Sequence, residues 1–211
     1  MPLTEKRIML LSAILFLLAA VFSVGFIHVD EHFQILEFAA LKLGLTTPEA
    51  LPWEYPAAMR PAFQPALIVG LYHVSGWFGQ PDPFVVTFVS RLLSAILAFT
   101  GIWLMVSAYR SRFGNGKLYT WFLLLSFLFW VAVFNGVRFS SESWSGSLFL
   151  IGFALIGLHN RYSSLQWLLI GMVMGLSFVT RFQAGLMIAG LVIWLAIVRR
   201  QLREAILLSA G

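Results

Sequence analysis

IMLLSAILFLLAAVFSVGFI, residues 8–27, is an uninterrupted apolar run of twenty residues, and HVDEHFQ, residues 28–34, follows it at once. A helix of that length covers the roughly 30 Å of a hydrocarbon layer. The lead before it, residues 1–7, is short and basic. A cleaved signal peptide has an apolar core of only about 7 to 15 residues and a small-residue cleavage site. Here the run is longer and an acidic cluster follows it, so we read an uncleaved first span. The rest of the chain agrees. Of its 211 residues 60 % are hydrophobic and 11 % charged, where soluble chains carry about 25 % charge. Mean hydropathy is +0.87. The chain reads as an all-α integral membrane protein.

Five further apolar runs reach spanning length: 84–108, 118–135, 144–158, 165–180 and 184–198. A sixth, 63–78, is short and holds Pro65, Gly70, His73 and Gly76. Charge decides its status. If 63–78 does not cross, Lys6, Arg7, Arg110, Arg112, Lys117, Arg161, Arg199, Arg200 and Arg203 fall on the cytoplasmic side, nine of the fourteen Lys and Arg. If it does cross, most of these move outside, against the positive-inside tendency. We therefore place 63–78 as an interfacial or re-entrant helix on the outer face, beside protein, because irregular backbone does not face lipid. That gives six spans, a cytoplasmic N-terminus and one large outer loop, 28–83. Only Glu5 and Glu204 of the nine acids then lie inside, so any chemistry belongs outside. The stretch 205–210 is too short to span, and the sequence reads as the N-terminal part of a longer membrane protein.

The formal charge of +5 is accounted for by this cytoplasmic bias. No basic patch interleaved with aromatics is present, so nucleic acid is not expected as a partner. Cysteine is absent, which excludes disulfides, thiolate metal sites and a cysteine nucleophile.

Within the outer loop, Asp30 and Glu31 sit at the membrane surface, just past the first span. A carboxylate there is either a general base raised by partial desolvation or part of a solvated helix-end cluster. Residues 33–43 read as a short amphipathic surface helix, ended by Gly44, which would bring Gln34 and Glu37 toward the same cavity as the acids. Trp53, Glu54 and Tyr55 lie in a proline-rich turn, as interface anchors or as walls for a sugar ring. His28 and His32 are four apart near acids, a spacing open to a metal ion, but no zinc motif surrounds them, and no metal or other cofactor is expected. Arg60, Arg91, Arg138 and Arg181 lie on the side where positive charge is disfavoured. Such cations are costly and are either paired or functional: they bind the outer acids, or they hold a phosphate through the planar guanidinium fork. Asn135, Arg138, Ser140, Ser141 and Glu142 form a polar outer hairpin opposite the first loop. Gly171 and Gly175 read as points of close helix packing.

These elements resemble glycosyltransferase family 22, the dolichyl-phosphate-mannose-type mannosyltransferases of GPI-anchor and lipid-linked N-glycan assembly, a branch of the multispanning GT-C superfamily. His28, Asp30, Glu31, Phe33 and Gln34 match the family's His-Pro-Asp-Glu-x-Phe-Gln-like opening of the first luminal loop, with Glu37 in register. Trp53-Glu54-Tyr55 and Arg60-Pro61 with Pro65 fill its next two elements. Arg138, Ser141 and Glu142 resemble a later Arg-x-x-Ser-x-x-Glu pattern at compressed spacing, and Thr180-Arg181 a further outer arginine. Val29 stands where the family usually has Pro, and Pro61 where it often has Ser; both point to a divergent, prokaryotic-type relative.

The resemblance implies a GT-C-like helical bundle whose large first outer loop carries juxtamembrane helices. It implies an inverting glycosyltransferase that moves a hexose, mannose first, from a polyprenyl- or dolichyl-phosphate donor to a glycolipid or lipid-linked glycan at the outer or luminal face. Asp30 is then the base, with Glu31 as its alternate or as the group that orients the acceptor. Arg60, Arg138 and Arg181 stabilise the leaving phosphate, and His28, His32, Gln34, Glu37, Trp53, Glu54, Tyr55 and Glu142 belong to the substrate site. The membrane is the plasma membrane in a prokaryote and the endoplasmic reticulum in a eukaryote. The rival readings are a GT-C enzyme with another donor sugar or a protein acceptor, a lipid or sugar transporter, and a non-catalytic assembly protein. A transporter distributes polar groups through the membrane depth, whereas this chain gathers its acids at one face.

Overall fold

The structure is a computed structural model that describes residues 3–26, 29–59, 61–77, 79–114, 116–158 and 162–211. Among these the regular structure is entirely helical. Helix α1 (Leu3–Phe22) is followed by a π-helical turn, Glu31–Leu36, that runs straight into α2 (Glu37–Lys42). Then come α3 (Phe63–Gly76), α4 (Pro83–Phe113), α5 (Lys117–Leu128), α6 (Trp130–Gly136), α7 (Ser141–Leu158), α8 (Ser164–Thr180), α9 (Ala184–Ile193) with a π-helical extension Trp194–Val198, and α10 (Leu202–Ala210). Three stretches are long and apolar enough to cross a membrane: Pro83–Phe113, Lys117–Gly136 and Ser141–Leu158. Ser164–Thr180 and Ala184–Val198 are apolar but shorter. Large apolar side chains crowd the outer faces of the helices, with Phe22 75 %, Trp121 61 %, Leu186 83 % and Ile197 70 % exposed. A surface of that kind is built for lipid.

Local chemistry sets the helix ends. The Asp82 carboxylate accepts from the Phe84 N–H at 2.8 Å and Pro83 occupies the first turn, so α4 starts there, as capping preferences dictate. A reciprocal capping box between Ser163 and Gln166 starts α8. Gly44, at φ +72°, ends α2, as its sequence position predicts. Helix α4 is longer than the predicted span 84–108 and carries Arg110 and Arg112 in its last turn.

Two elements depart from the sequence expectation. The run 118–135 is not one helix: Phe129, at φ −63° and ψ 120°, separates α5 from α6. Neither proline nor glycine stands at this break. Instead the Ser12 hydroxyl of α1 donates to the Phe127 carbonyl at 2.8 Å, a tertiary bond that takes a carbonyl from the end of α5. The run 8–27 also outlasts its helix. Helix α1 stops at Phe22, and the chain turns at Gly25 with φ +67°, a left-handed conformation that glycine adopts without penalty.

Helix α4 is the hub, packing on α1, α3, α5, α6 and most extensively on α7; α7 packs on α8, and α8 on α10. Phe16 of α1, Val106 of α4 and Leu123 and Phe127 of α5 form one core. Trp167, Met174, Leu195 and Leu208 form a second, around α8 and α10. Under the outer loop a third core joins Ile35, Ala39, Ile68, Val86, Phe139 and Trp144. At the opposite end Glu5 is buried and pairs with Arg110 at 3.2 Å, pinning α1 to α4. Gly171 and Gly175 do face a neighbouring backbone: Gly171 lies against the Leu208 carbonyl of α10, and a Cβ on Gly175 would meet the Gly211 carbonyl at 3.4 Å. The 14-residue α3, about 21 Å long, packs on α2 and α4 and is too short to cross the hydrocarbon layer upright.

Candidate active site

Where α1 ends, the carbonyls of the residues just past it have no helical partners. Two arginines from distant elements take them up. Arg91, two turns into α4, donates through Nη1 to the Ser23 carbonyl and through Nη2 to the Gly25 carbonyl at 3.0 Å. Arg138, in the turn between α6 and α7, donates through Nη1 to the same Gly25 carbonyl at 3.4 Å. Arg138 is only 6 % exposed. Its guanidinium lies 5.1 Å from the centre of the Phe134 ring, and its Nε is buried without a hydrogen-bond partner. An orphaned donor on a buried cation costs about 1–3 kcal/mol, more when charged, and is a standing demand for an anionic or acceptor atom.

Arg138 lines a cavity of about 490 Å³ with Glu31, Asn135, Ser140, Glu142 and Ser143; its apolar wall includes Ala98 and Ile102 of α4 and Leu150 of α7. That size lies in the range of small-molecule sites. The first outer loop and the α6–α7 hairpin thus contribute polar groups to one space. Glu31 also lines a second cavity, of about 530 Å³, with Arg91 and His32 and a largely apolar wall. Among the described residues it is the one common to both linings.

Glu142 and Arg181 form an ion pair, with Arg181 also donating to the Ser141 hydroxyl at 3.0 Å. Arg181 lies on a separate narrow cleft of about 20 Å³ that Gln34 and Gln64 share. The Gln64 side chain is 3 % exposed and its Nε2 has no partner. His32 is held by Glu37, Nε2 to Oε1 at 3.1 Å, and stacks on Phe26 at 5.0 Å.

The predicted site residues therefore divide. Glu31, Arg138 and Glu142 come together on the 490 Å³ cavity. Asp30, half-buried at the start of the π-helical turn, is not on its wall. Gln34 faces the Arg181 cleft, and Glu37 is turned toward His32, so the helical register does not bring these two to the Glu31 cavity. Trp53 is 69 % exposed, Tyr55 packs edge-on against Phe38, and Glu54 is half-buried; none of the three lines either large cavity. His28 and Arg60 lie outside the described residues. Among the described residues no three of His, Cys, Asp and Glu converge as metal ligands.

Sequence reasoning marked Arg91 by its depth in an apolar helix as a paired or phosphate-holding cation, but did not carry it into the substrate site. It also passed over Ser143, Gly146 and Ser147, small residues three and four apart on α7 that leave room for the cavity. No curated protein and no solved structure matches the chain. A family model, the Alg9-like mannosyltransferase family, matches residues 7–210. With nearly the whole chain covered, the protein belongs to the Alg9-like mannosyltransferase family of glycosyltransferases.

Proposed function

We propose that the protein transfers mannose from a polyprenyl-phosphate sugar to a hydroxyl of a lipid-linked glycan or glycolipid, at the outer or luminal face of the membrane and with inversion at the anomeric carbon. The observation that carries this reading is the pairing of Glu31 and Arg138 on one cavity, an acid from the first outer loop and a buried guanidinium with an orphaned donor. The two halves of the reaction need a carboxylate of the first loop and a cation beside it. A carboxylate takes the proton of the acceptor hydroxyl as its oxygen bonds to the anomeric carbon. The bond from that carbon to the phosphate oxygen breaks, and polyprenyl phosphate leaves with the electron pair, its charge rising from −1 toward −2 as the diester becomes a monoester. Arg138 is placed to neutralise that growing charge, and its planar fork suits phosphate.

Two carboxylates begin the first loop. The family pattern points to Asp30 as the base, and Glu31, on the cavity wall, is then the group that orients the acceptor. Apo geometry does not by itself rule out a base that stands off the cavity. Glu142 is already held by Arg181, so it supports the hairpin that carries Arg138. The N-terminus lies in the cytoplasm, in keeping with the basic bias of the inner loops.

The deciding experiment is sugar transfer in proteoliposomes, with polyprenyl-phosphate-mannose as donor and a lipid-linked glycan as acceptor. Wild type, Asp30→Asn and Glu31→Gln are compared at matched folded amounts. We expect Asp30→Asn to lower kcat by about 10²–10⁴-fold and Glu31→Gln chiefly to raise KM for the acceptor. The converse result reassigns the base to Glu31, and no transfer by folded wild type overturns the reading.

A further inference from the structure

The narrow cleft of about 20 Å³ beside Arg181 joins four parts of the chain that lie far apart in sequence. Gln34 comes from the π-helical turn, Gln64 from the first turn of α3, Ser141 from the start of α7 and Thr180 from the end of α8. Gln64, Ser141 and Thr180 are buried, at 3 %, 9 % and 1 % exposure. The Gln64 Nε2 has no hydrogen-bond partner among the described residues, and a buried amide N–H normally finds one in protein or ordered water. The wall carries acceptors that this N–H does not reach directly. The Thr180 hydroxyl donates to the Leu176 carbonyl at 2.7 Å, so its oxygen can still accept. The Ser141 hydroxyl accepts from Arg181 Nη1 at 3.0 Å and donates to Glu142 Oε2 at 3.3 Å, which leaves it one lone pair. A cavity holds a water when about 10–15 Å³ is open to the water's centre and about two to four polar groups surround it. This cleft meets both conditions for one water and is far too small for a sugar ring. We propose that one buried water sits there, accepting from Gln64 and donating to the ends of α7 and α8, and that Gln64 is through it a positioning residue for sugar transfer. The positioning role rests on the transfer reading above; the water does not.

Gln34 follows Glu31, and Ser141 follows Arg138, at the same short spacing along the chain. The cleft therefore ties together the two segments that bring the acid and the cation to the 490 Å³ cavity. Apolar packing between these segments, of Ile35 and Ile68 with Phe139 and Trp144, is non-directional and permits sliding. Hydrogen bonds through a bridging water are directional and set one register. A misplacement of about 1 Å between reacting groups costs about 10²-fold in rate.

The test replaces Gln64 in the full chain by Leu, of similar size and without an amide, and by Asn, which keeps the amide on a shorter stem. In the proteoliposome assay we expect Gln64→Leu to lower kcat by about 10–10²-fold while both KM values stay within about twofold. Its melting temperature should be no lower than that of wild type, because leucine buries no unpaired amide. Gln64→Asn should recover part of kcat. An unchanged kcat, a loss of kcat and melting temperature together, or no recovery by Asn overturns the positioning role. High-resolution electron cryomicroscopy of wild type and Gln64→Leu in lipid nanodiscs tests the water itself. Density for one water at hydrogen-bond distance from the Gln64 amide, gone in the Leu variant, supports it. An empty cleft in wild type, or density for any larger group, overturns it. If wild type transfers no sugar, the transfer reading fails by itself, and the same two maps decide the rest: a changed separation of Glu31 and Arg138 supports Gln64 as the group that sets it, and an unchanged one overturns that.

Discussion

Arg138 carries three contacts at once: the Gly25 carbonyl, the Phe134 ring and the wall of the polar cavity. Its replacement therefore separates charge from geometry. Arg138→Lys keeps the positive charge and loses the fork; Arg138→Ala loses both. We expect Arg138→Ala to lower kcat by about 10²–10³-fold, the range for loss of a group that stabilises developing charge, and Arg138→Lys to fall between it and wild type. Thermal unfolding in detergent checks that the Lys variant stays folded, so its kinetic loss is read as chemistry. The Glu142–Arg181 pair behaves differently. Both side chains are partly exposed, 37 % and 25 %, and an ion pair of that kind contributes about 0–1 kcal/mol. Glu142→Gln should thus leave the melting temperature nearly unchanged while it loosens the hairpin that positions Arg138, a loss visible in kcat and absent from a melting curve.

Helix α6 is short, and one glycine seats it. A Cβ on Gly136 would stand 2.6 Å from the Phe16 ring and 2.9 Å from the Ala98 Cβ. Gly136→Ala should cost about 1–3 kcal/mol through overpacking and move Asn135 and Arg138, its neighbours on the cavity. Phe16→Leu in the same chain makes room, so the double variant should recover much of the melting temperature and activity. Gly152 is the contrast, since the three atoms nearest a Cβ there, at 2.8–3.1 Å, all belong to Met174, an unbranched side chain that adapts more readily than a ring, and Gly152→Ala should cost less than Gly136→Ala. Elements of this kind show what a sequence conceals. The apolar runs announced the helices. The break at Phe129 had no local sign, because a hydroxyl on α1 stabilises it from 115 positions away. The end of α1 at Phe22 was equally silent, because a run of apolar residues does not say where distant arginines will claim its carbonyls. Among the candidate residues, Glu31, Arg138 and Glu142 were legible as charges in outer segments. The turning of Gln34 and Glu37 away from them was not, because a π-helical turn shifts the register that an α-helical reading assumes.

At the scale of the whole molecule, the proposed topology assigns the charge asymmetry of the loops to two faces. The absence of cysteine makes that asymmetry measurable without altering the native sequence beyond one residue. A Thr47→Cys variant, in the outer loop, should react with an impermeant maleimide in intact cells. A Ser111→Cys variant, at the basic end of α4, should react only after permeabilisation; the reverse pattern overturns the cytoplasmic placement of the N-terminus, since both positions would change sides together. The same long-range architecture has a consequence in time. A chain is synthesised from its N-terminus, so α1 is made before α4 and the α6–α7 turn that complete its end. The Gly25 carbonyl waits 66 residues for Arg91 and 113 for Arg138. Until the ribosome has passed Arg91, headgroups or water must serve the end of α1, and only after Arg138 has followed is the corner of the molecule where the first loop begins closed by the nascent chain's own later segments.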